Sequence, residues 1–194
     1  MKFTSPTRGK GLLEGYLARK RAEKANGFVP ELFRKGRILD IGCGSFPYFL
    51  STTDFKEKYG VDPSLQITSN KDIKLFKQDV TKEKLPFADN YFDVVTMLAV
   101  FEHIEHKKLD FVLSEIRRVL KKDGVVIITT PAPWADIVLH FMGDIGLISD
   151  IEIHDHKHHY SKGTIEEVIK GVNFKKVKSG YFEGYMNMWF TSTK

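Results

Sequence analysis

Apolar positions along the chain fall into two rhythms. Short apolar runs at Arg37–Ile41, Tyr59–Val61, Ile73–Gln78, Phe92–Leu98 and Val125–Thr130 read as strands, Phe92–Leu98 and Val125–Thr130 as buried ones. Between them the period lengthens to that of a helix. In Lys107–Lys122, residues Leu109, Val112, Leu113, Ile116, Val119 and Leu120 fall on one side. A second helix is expected over Lys162–Lys170. A basic one is expected over Leu12–Ala25, where Leu13, Tyr16 and Leu17 share a face beside Arg19, Lys20, Arg21 and Lys24. Two late strands, Lys175–Ser179 and Met186–Thr191, follow each other directly, which predicts an antiparallel edge on a parallel sheet. Strands alternating with helices predict an α/β fold.

Breakers mark the joints. Gly27 and Pro30 end the basic helix, and Pro47 stands where a helix can begin, because proline loses nothing in a first turn. Asp123-Gly124 reads as a turn, and Pro131 and Pro133 end the strand that follows it. From 132 to 160 the alternation is lost. That stretch is long for a connection in an α/β unit and reads as an inserted lid over an acceptor pocket.

Length and composition narrow the class. With 194 residues, 42% hydrophobic and 28% charged, the chain suits one domain spanning 1–194, its first 34 residues a helical segment. Disorder and collagen are excluded. The net charge of +5 is too mild for a nucleic-acid-binding arm, so no nucleic-acid partner is expected. A lone cysteine, Cys43, permits neither an internal disulfide nor a thiolate metal site, which points to a reducing compartment. The opening MKFTSPTRGK lacks the apolar core of a signal peptide, and no run is long enough for a transmembrane helix. The expectation is a cytoplasmic protein.

The first chemical candidate is Ile38-Leu39-Asp40-Ile41-Gly42-Cys43-Gly44, a strand entering a glycine turn. Glycines there let the backbone approach a ligand at the C-terminal edge of a sheet. A dinucleotide loop is disfavoured. G-x-G-x-x-G needs a glycine where Pro47 stands, and Asp40 would repel a pyrophosphate. A ligand carrying an ammonium and a sulfonium, such as S-adenosylmethionine, would favour that carboxylate. Asp62, in Val61-Asp62-Pro63, closes the next strand and is placed to accept hydrogen bonds from ribose hydroxyls. The plain alternative is an Asp-Pro turn.

Four segments, ILDIGCGS, GVDPS, KQDVTKEKLPFADNYFDVVTMLAVFEHI and RVLKKDGVVIITTP, come in one order and spacing across roughly 35–131. Together they resemble the class I S-adenosylmethionine-dependent methyltransferases, in the broad group that includes the ubiquinone-biosynthesis O-methyltransferases. The resemblance implies a Rossmann-like, doubly wound, seven-stranded sheet, mostly parallel, with an antiparallel last strand and helices on both faces. It implies that Asp40, Gly42 and Gly44 border the methionine part of the cofactor and that Asp62 holds the ribose. Asp79 and Val80 would lie near the adenine, and Ala99 would line the methyl-donor side. Phe46 stands where the family usually has a third glycine.

Acceptor chemistry is less legible. Glu102-His103 follows the central strand, and the same pair is common in the ubiquinone-type relatives. His103 is a candidate general base, or else a positioning or capping residue. The segment from Ile153 to Tyr160 holds His154, His156, His158 and His159. His158 and His159 are catalytic candidates, as a general base over the acceptor or as contacts to it; a polar loop and a metal site are the competing readings, and no metal ligand is assigned. The apolar run from Trp134 to Ile148 reads as a lid, a packed helix, or a membrane or subunit contact. The expected partner is a small-molecule acceptor, a hydroxyl by preference and saccharide- or lipid-linked from a weak likeness of the closing segment YFEGYMNMWF. N-methylation of an amine and a non-catalytic cofactor-binding partner protein are the alternatives.

Overall fold

The computed structural model describes residues 14–66, 69–70, 72–135 and 160–194. In chain order the elements are α1 (Glu14–Phe28), β1 (Arg37–Ile41), α2 (Tyr48–Thr52), β2 (Glu57–Val61), β3 (Ser69–Asn70), β4 (Ile73–Phe76), β5 (Phe92–Leu98), α3 (His106–Val119), β6 (Leu120–Pro131), α4 (Lys162–Gly171), β7 (Lys175–Phe182) and β8 (Asn187–Thr193). Short 3₁₀ turns, Glu31–Lys35 and Phe101–His103, precede β1 and follow β5.

The strands form one sheet in the order β3-β4-β2-β1-β5-β6-β8-β7. Pairing is parallel from β4 through β6, and β8 runs antiparallel to both β6 and β7. This is the expected seven-stranded sheet with its last strand reversed, plus the two-residue β3 antiparallel to β4. One detail differs from the sequence reading. The reversed strand is not the edge, because β8 inserts between β6 and β7 and leaves β7 outermost. Hydrophobicity decides this. In β8, Met188 and Phe190 are fully buried, whereas β7 has no buried residue and tolerates an edge.

Strand periodicity sends alternate residues to opposite faces. Ile38, Val94 and Ile127 pack with Ala22 and Ala25 of α1 and with Phe49 and Leu50 of α2. Leu39, Val95 and Val126 belong instead to the core that includes Leu109, Leu113 and Ile116 of α3 and Ile165 and Ile169 of α4. Helices therefore cover both faces. The inward stripe of α1 is Ala22, Ala25 and the following Val29, while Tyr16 is exposed and flanked by Arg19 and Lys20. Alanines let the helix lie close to the sheet, a signal weaker than the larger Tyr16 and Leu17.

The helix expected to reach Lys122 stops at Val119, and Leu120 already pairs with Phe92. The register then jumps so that Val94 faces Val125, and 121–124 arch out of the ladder. Asp123 takes a positive φ of 62° there, and a Cβ on Gly124 would lie 2.9 Å from the Lys121 carbonyl. The Asp-Gly turn is therefore an irregularity inside one long strand, closed by Lys121 Nζ at 2.8 Å from both oxygens of Asp93.

The segment between β4 and β5 has no regular structure and is fixed from α3. Glu115 accepts from the Leu85 amide at 2.9 Å. Arg118 donates to the carbonyls of Leu85 and Phe87 and forms a 2.8 Å ion pair with Glu115. Phe87 meets Phe92 edge-on with ring centroids 4.8 Å apart. Removing one member of a mostly buried, hydrogen-bonded pair leaves the other desolvated. Arg118→Met should therefore lower unfolding stability by about 2–3 kcal/mol in urea titrations. Glu115→Gln in the same chain should return part of the loss; a double variant as unstable as the sum of both singles would refute this coupling.

Candidate active site

Parallel strands all deliver their C-terminal ends to one edge, and the residues singled out from the sequence gather there. Asp40 is the penultimate residue of β1 and faces Thr96 across the β1–β5 pair. Its carboxylate is buried and accepts from the Thr96 hydroxyl at 2.6 Å. Burial and the neighbouring charge of Asp62 push its pKa up to about 7, against the lowering effect of Thr96.

Gly42 and Gly44 follow with φ of 73° and 70°, a region that favours glycine. A Cβ on Gly42 would come within 2.2 Å of a Val100 methyl. Above Gly44 the nearest heavy atom to a Cβ would be 3.9 Å away, so this glycine leaves room on its open side. Gly42 and Cys43 donate their amides to the Val61 carbonyl, and the Gly44 amide donates to Asp62 Oδ2 at 2.9 Å. Asp62 is buried too and accepts from the Ser64 amide through Oδ1 at 2.7 Å. The carboxylate thus ties the glycine turn to the end of β2. Burial and the two carboxylates push the Cys43 thiol well up, consistent with a packing residue and not a nucleophile.

Asp79 lies beyond β4. Its Oδ1 accepts from the amide and hydroxyl of Thr81, and its Oδ2 pairs with Lys82 at 2.9 Å. Burial opposes ionisation, but these partners hold its pKa below the usual value. Val80 is partly buried against the core beneath α3. Ala99 follows β5 with a positive φ of 55°, its amide bonded to the Thr129 carbonyl at 2.9 Å. A left-handed alanine at a ligand edge is a local strain held by its surroundings.

Asp40, Gly42, Gly44 and Asp62 form one connected group, and Ala99 ends the neighbouring strand. His103 is exposed on the 3₁₀ turn, whereas Glu102 beside it turns inward and is buried. Glu102 accepts from Thr130 at 2.9 Å through Oε2, and its Oε1 is buried without a hydrogen-bond partner among the described residues. Of that pair the sequence reading chose the histidine and passed over the carboxylate, although an acidic residue directly after an apolar strand was the available signal. His158 and His159, and most of the expected lid, lie outside the described residues. Among the described residues no group of three metal-ligating side chains occurs, and no helix is long and apolar enough to cross a membrane.

The arrangement fits a cationic, ribose-bearing ligand: two buried carboxylates beside a glycine turn that is open over Gly44. Comparison with known proteins agrees. Residues 39–128 match the methyltransferase domain family. An uncharacterized protein of Methanocaldococcus jannaschii is 38% identical over 91 residues, 47% of this chain and 39% of that protein. A ubiquinone/menaquinone biosynthesis C-methyltransferase of Paraburkholderia xenovorans is 50% identical over 46 residues, 24% of this chain and 18% of that protein. The chain thus spans well under half the length of these relatives. A crystal structure of a SAM-dependent methyltransferase from Archaeoglobus fulgidus superposes with a TM-score of 0.70 at 19% identity, over 91% of this chain and 94% of that one. The fold is that of the Rossmann-like methyltransferases. Over 39–128 the chain is thus similar to the methyltransferase domain family, and it shares its fold with a SAM-dependent methyltransferase.

Two outcomes follow from this geometry. Gly42→Ala should lose about 3 kcal/mol, from the left-handed backbone and the Val100 clash together. Adding Val100→Ala should recover the clash part, and denaturant unfolding of both variants checks it. The raised pKa of Asp40 fixes the sign of a pH effect. The carboxylate is neutral in both states below about 4, and its ionisation opposes folding progressively as pH rises towards 7. Asp40→Asn should therefore melt about 5 °C or more above the parent at pH 8, with the gap closing at pH 4. A gap that is the same at both pH values would refute the assignment.

Proposed function

We propose that this protein transfers a methyl group from S-adenosylmethionine to a small-molecule acceptor, by preference a hydroxyl. The observation that carries the reading is the pair of buried carboxylates, Asp40 and Asp62, at the glycine turn on the C-terminal edge of a parallel sheet. Two acids there disfavour an anionic pyrophosphate and favour a ligand with ammonium and sulfonium charge.

In this reading Asp40, Gly42 and Gly44 hold the methionine end of the cofactor, Asp62 the ribose, Asp79 and Val80 the adenine, and Ala99 the side facing the acceptor. When bound, the cofactor supplies a methyl already activated by its sulfonium. What remains for the chain is alignment and exclusion of water. A hydroxyl acceptor must also release its proton, and His103, on the turn after β5, is the proposed base. His158 and His159 are proposed as acceptor contacts. Asp62 has a second task in this scheme. It fixes the Gly44 amide, so its loss disturbs both the ribose contact and the turn.

Titration calorimetry with S-adenosylhomocysteine tests the cofactor site. Saturable binding is expected, weakened about tenfold or more in Asp62→Ala while the variant keeps a cooperative melt. A folded wild-type protein that takes up no S-adenosylhomocysteine would overturn the proposal. His103→Asn should leave that binding unchanged and lower kcat once an acceptor is in hand.

A further inference from the structure

Among the described residues, five buried side-chain atoms have no hydrogen-bond partner: Arg21 Nε, Glu102 Oε1, Thr129 Oγ1, Glu183 Oε1 and Asn187 Oδ1. Buried polar atoms are normally paired, and a cluster of orphans asks for a ligand. Every one belongs to an element that reaches the same edge of the sheet as the glycine turn.

Four of them share one face. Register places Thr129 opposite Trp189 and Asn187 opposite Pro131, so Thr129 and Asn187 are diagonal neighbours on one side of the β6–β8 pair. Because β8 is antiparallel to β6, the turn joining β7 to β8 sits at the C-terminal edge of β6. That turn bears Glu183, whose Oε2 accepts from Asn187 Nδ2 at 2.7 Å. It is tightly built. Glu183, Gly184 and Tyr185 all have positive φ, the Met186 amide bonds back to the Glu183 carbonyl, and the Met186 carbonyl accepts from Ala132. From above, α1 reaches the same place: Lys24 lies over the rings of Phe182 and Trp189, and Arg21 is one turn nearer the helix start. Thr129 also connects the group to the cofactor side, since its carbonyl holds the Ala99 amide.

We propose that Arg21, Thr129, Glu183 and Asn187 form the acceptor-recognition subsite and that it takes a neutral polyhydroxylated ring, such as a glycosyl unit with adjacent hydroxyls. This rests on the methyl-transfer reading of the neighbouring cofactor site. The class follows from the orphan set. Glu183 Oε1 and Asn187 Oδ1 can only accept, Arg21 Nε can only donate, and the Thr129 hydroxyl does either. A ring hydroxyl donates and accepts at once, so a diol satisfies both kinds of atom. An ammonium acceptor would gain Glu183 but face the charges of Arg21 and Lys20, both of which Glu183 senses. An acidic acceptor would face Glu183. Tyr181 and Tyr185, both exposed and 5.5 Å apart between ring centroids, offer an apolar flank beside the turn.

Saturation-transfer NMR on the full chain, loaded with S-adenosylhomocysteine, tests this. The probes are methyl glycosides of neutral hexoses and 6-deoxyhexoses, with ethanolamine and benzoate as charged comparators. Signal from at least one glycoside is expected, reduced at least fivefold in Asn187→Ala and in the nearly isosteric Thr129→Val. Both variants should keep the parent's S-adenosylhomocysteine affinity and melting temperature. Normal S-adenosylhomocysteine binding with no glycoside signal, with signal only from a comparator, or with glycoside signal untouched in folded variants would each overturn the subsite and leave the cofactor site standing. Loss of S-adenosylhomocysteine binding in the wild type would overturn the cofactor reading and, with it, the subsite that rests on it.

Discussion

Two carboxyl groups brought out of water at the ends of adjacent parallel strands are the constraint around which this molecule is organised. Asp40 and Asp62 stand at the ends of β1 and β2, both buried, and the charge of Asp62 adds to burial in raising the pKa of Asp40. Neither position is tolerable without hydrogen bonds. Asp40 has the Thr96 hydroxyl, delivered from β5 by the parallel register, and Asp62 has the amides of Gly44 and Ser64. Satisfying Asp62 sets the path of the glycine turn, and the turn in turn requires two left-handed residues and the close approach of Val100 to Gly42. The path of this edge thus follows from one electrostatic demand met by backbone donors.

The rest of the sheet supports that edge from a distance. The two cores on opposite faces hold β1, β5 and β6 in parallel register, which keeps Asp40 and Thr96 opposed. The irregular segment after β4, carrying Asp79 and Val80, is held at its far end by Arg118 and Glu115 of α3. Order around the glycine turn therefore comes from hydrogen bonds to backbone as much as from hydrophobic packing. On the other side of the edge the balance reverses: Glu102 Oε1, Thr129 Oγ1, Glu183 Oε1 and Asn187 Oδ1 are buried without hydrogen-bond partners among the described residues. The molecule satisfies its own polar groups around the glycine turn and leaves buried ones unpaired where an acceptor is proposed to dock.

That contrast also bears on the likeness to known proteins. The methyltransferase family matches 39–128, which includes the glycine turn, Asp62, Asp79 and Ala99. The strained turn at Glu183 and the face formed with α1 lie outside that span.

From the sequence alone, the apolar runs determined the parallel strands. The ILDIGCGS and GVDPS segments marked the strand ends where the glycine turn and the two buried acids meet, because both signals are local: an apolar run, a glycine pair, an acid near the end of each strand. The stretch of α1 that packs on the sheet was harder to read, because alanines give a weaker signal than the tyrosine beside them. Only the tertiary structure decided that β8 inserts inside β7, that Leu120 opens a strand instead of closing a helix, and that Glu102 turns inward while His103 faces out. It alone brought Arg21, Thr129, Glu183 and Asn187 to one place. These residues are far apart in the chain, and their meeting depends on the reversed direction of β8 and the descent of α1 across the sheet, neither of which leaves a periodic trace in the sequence.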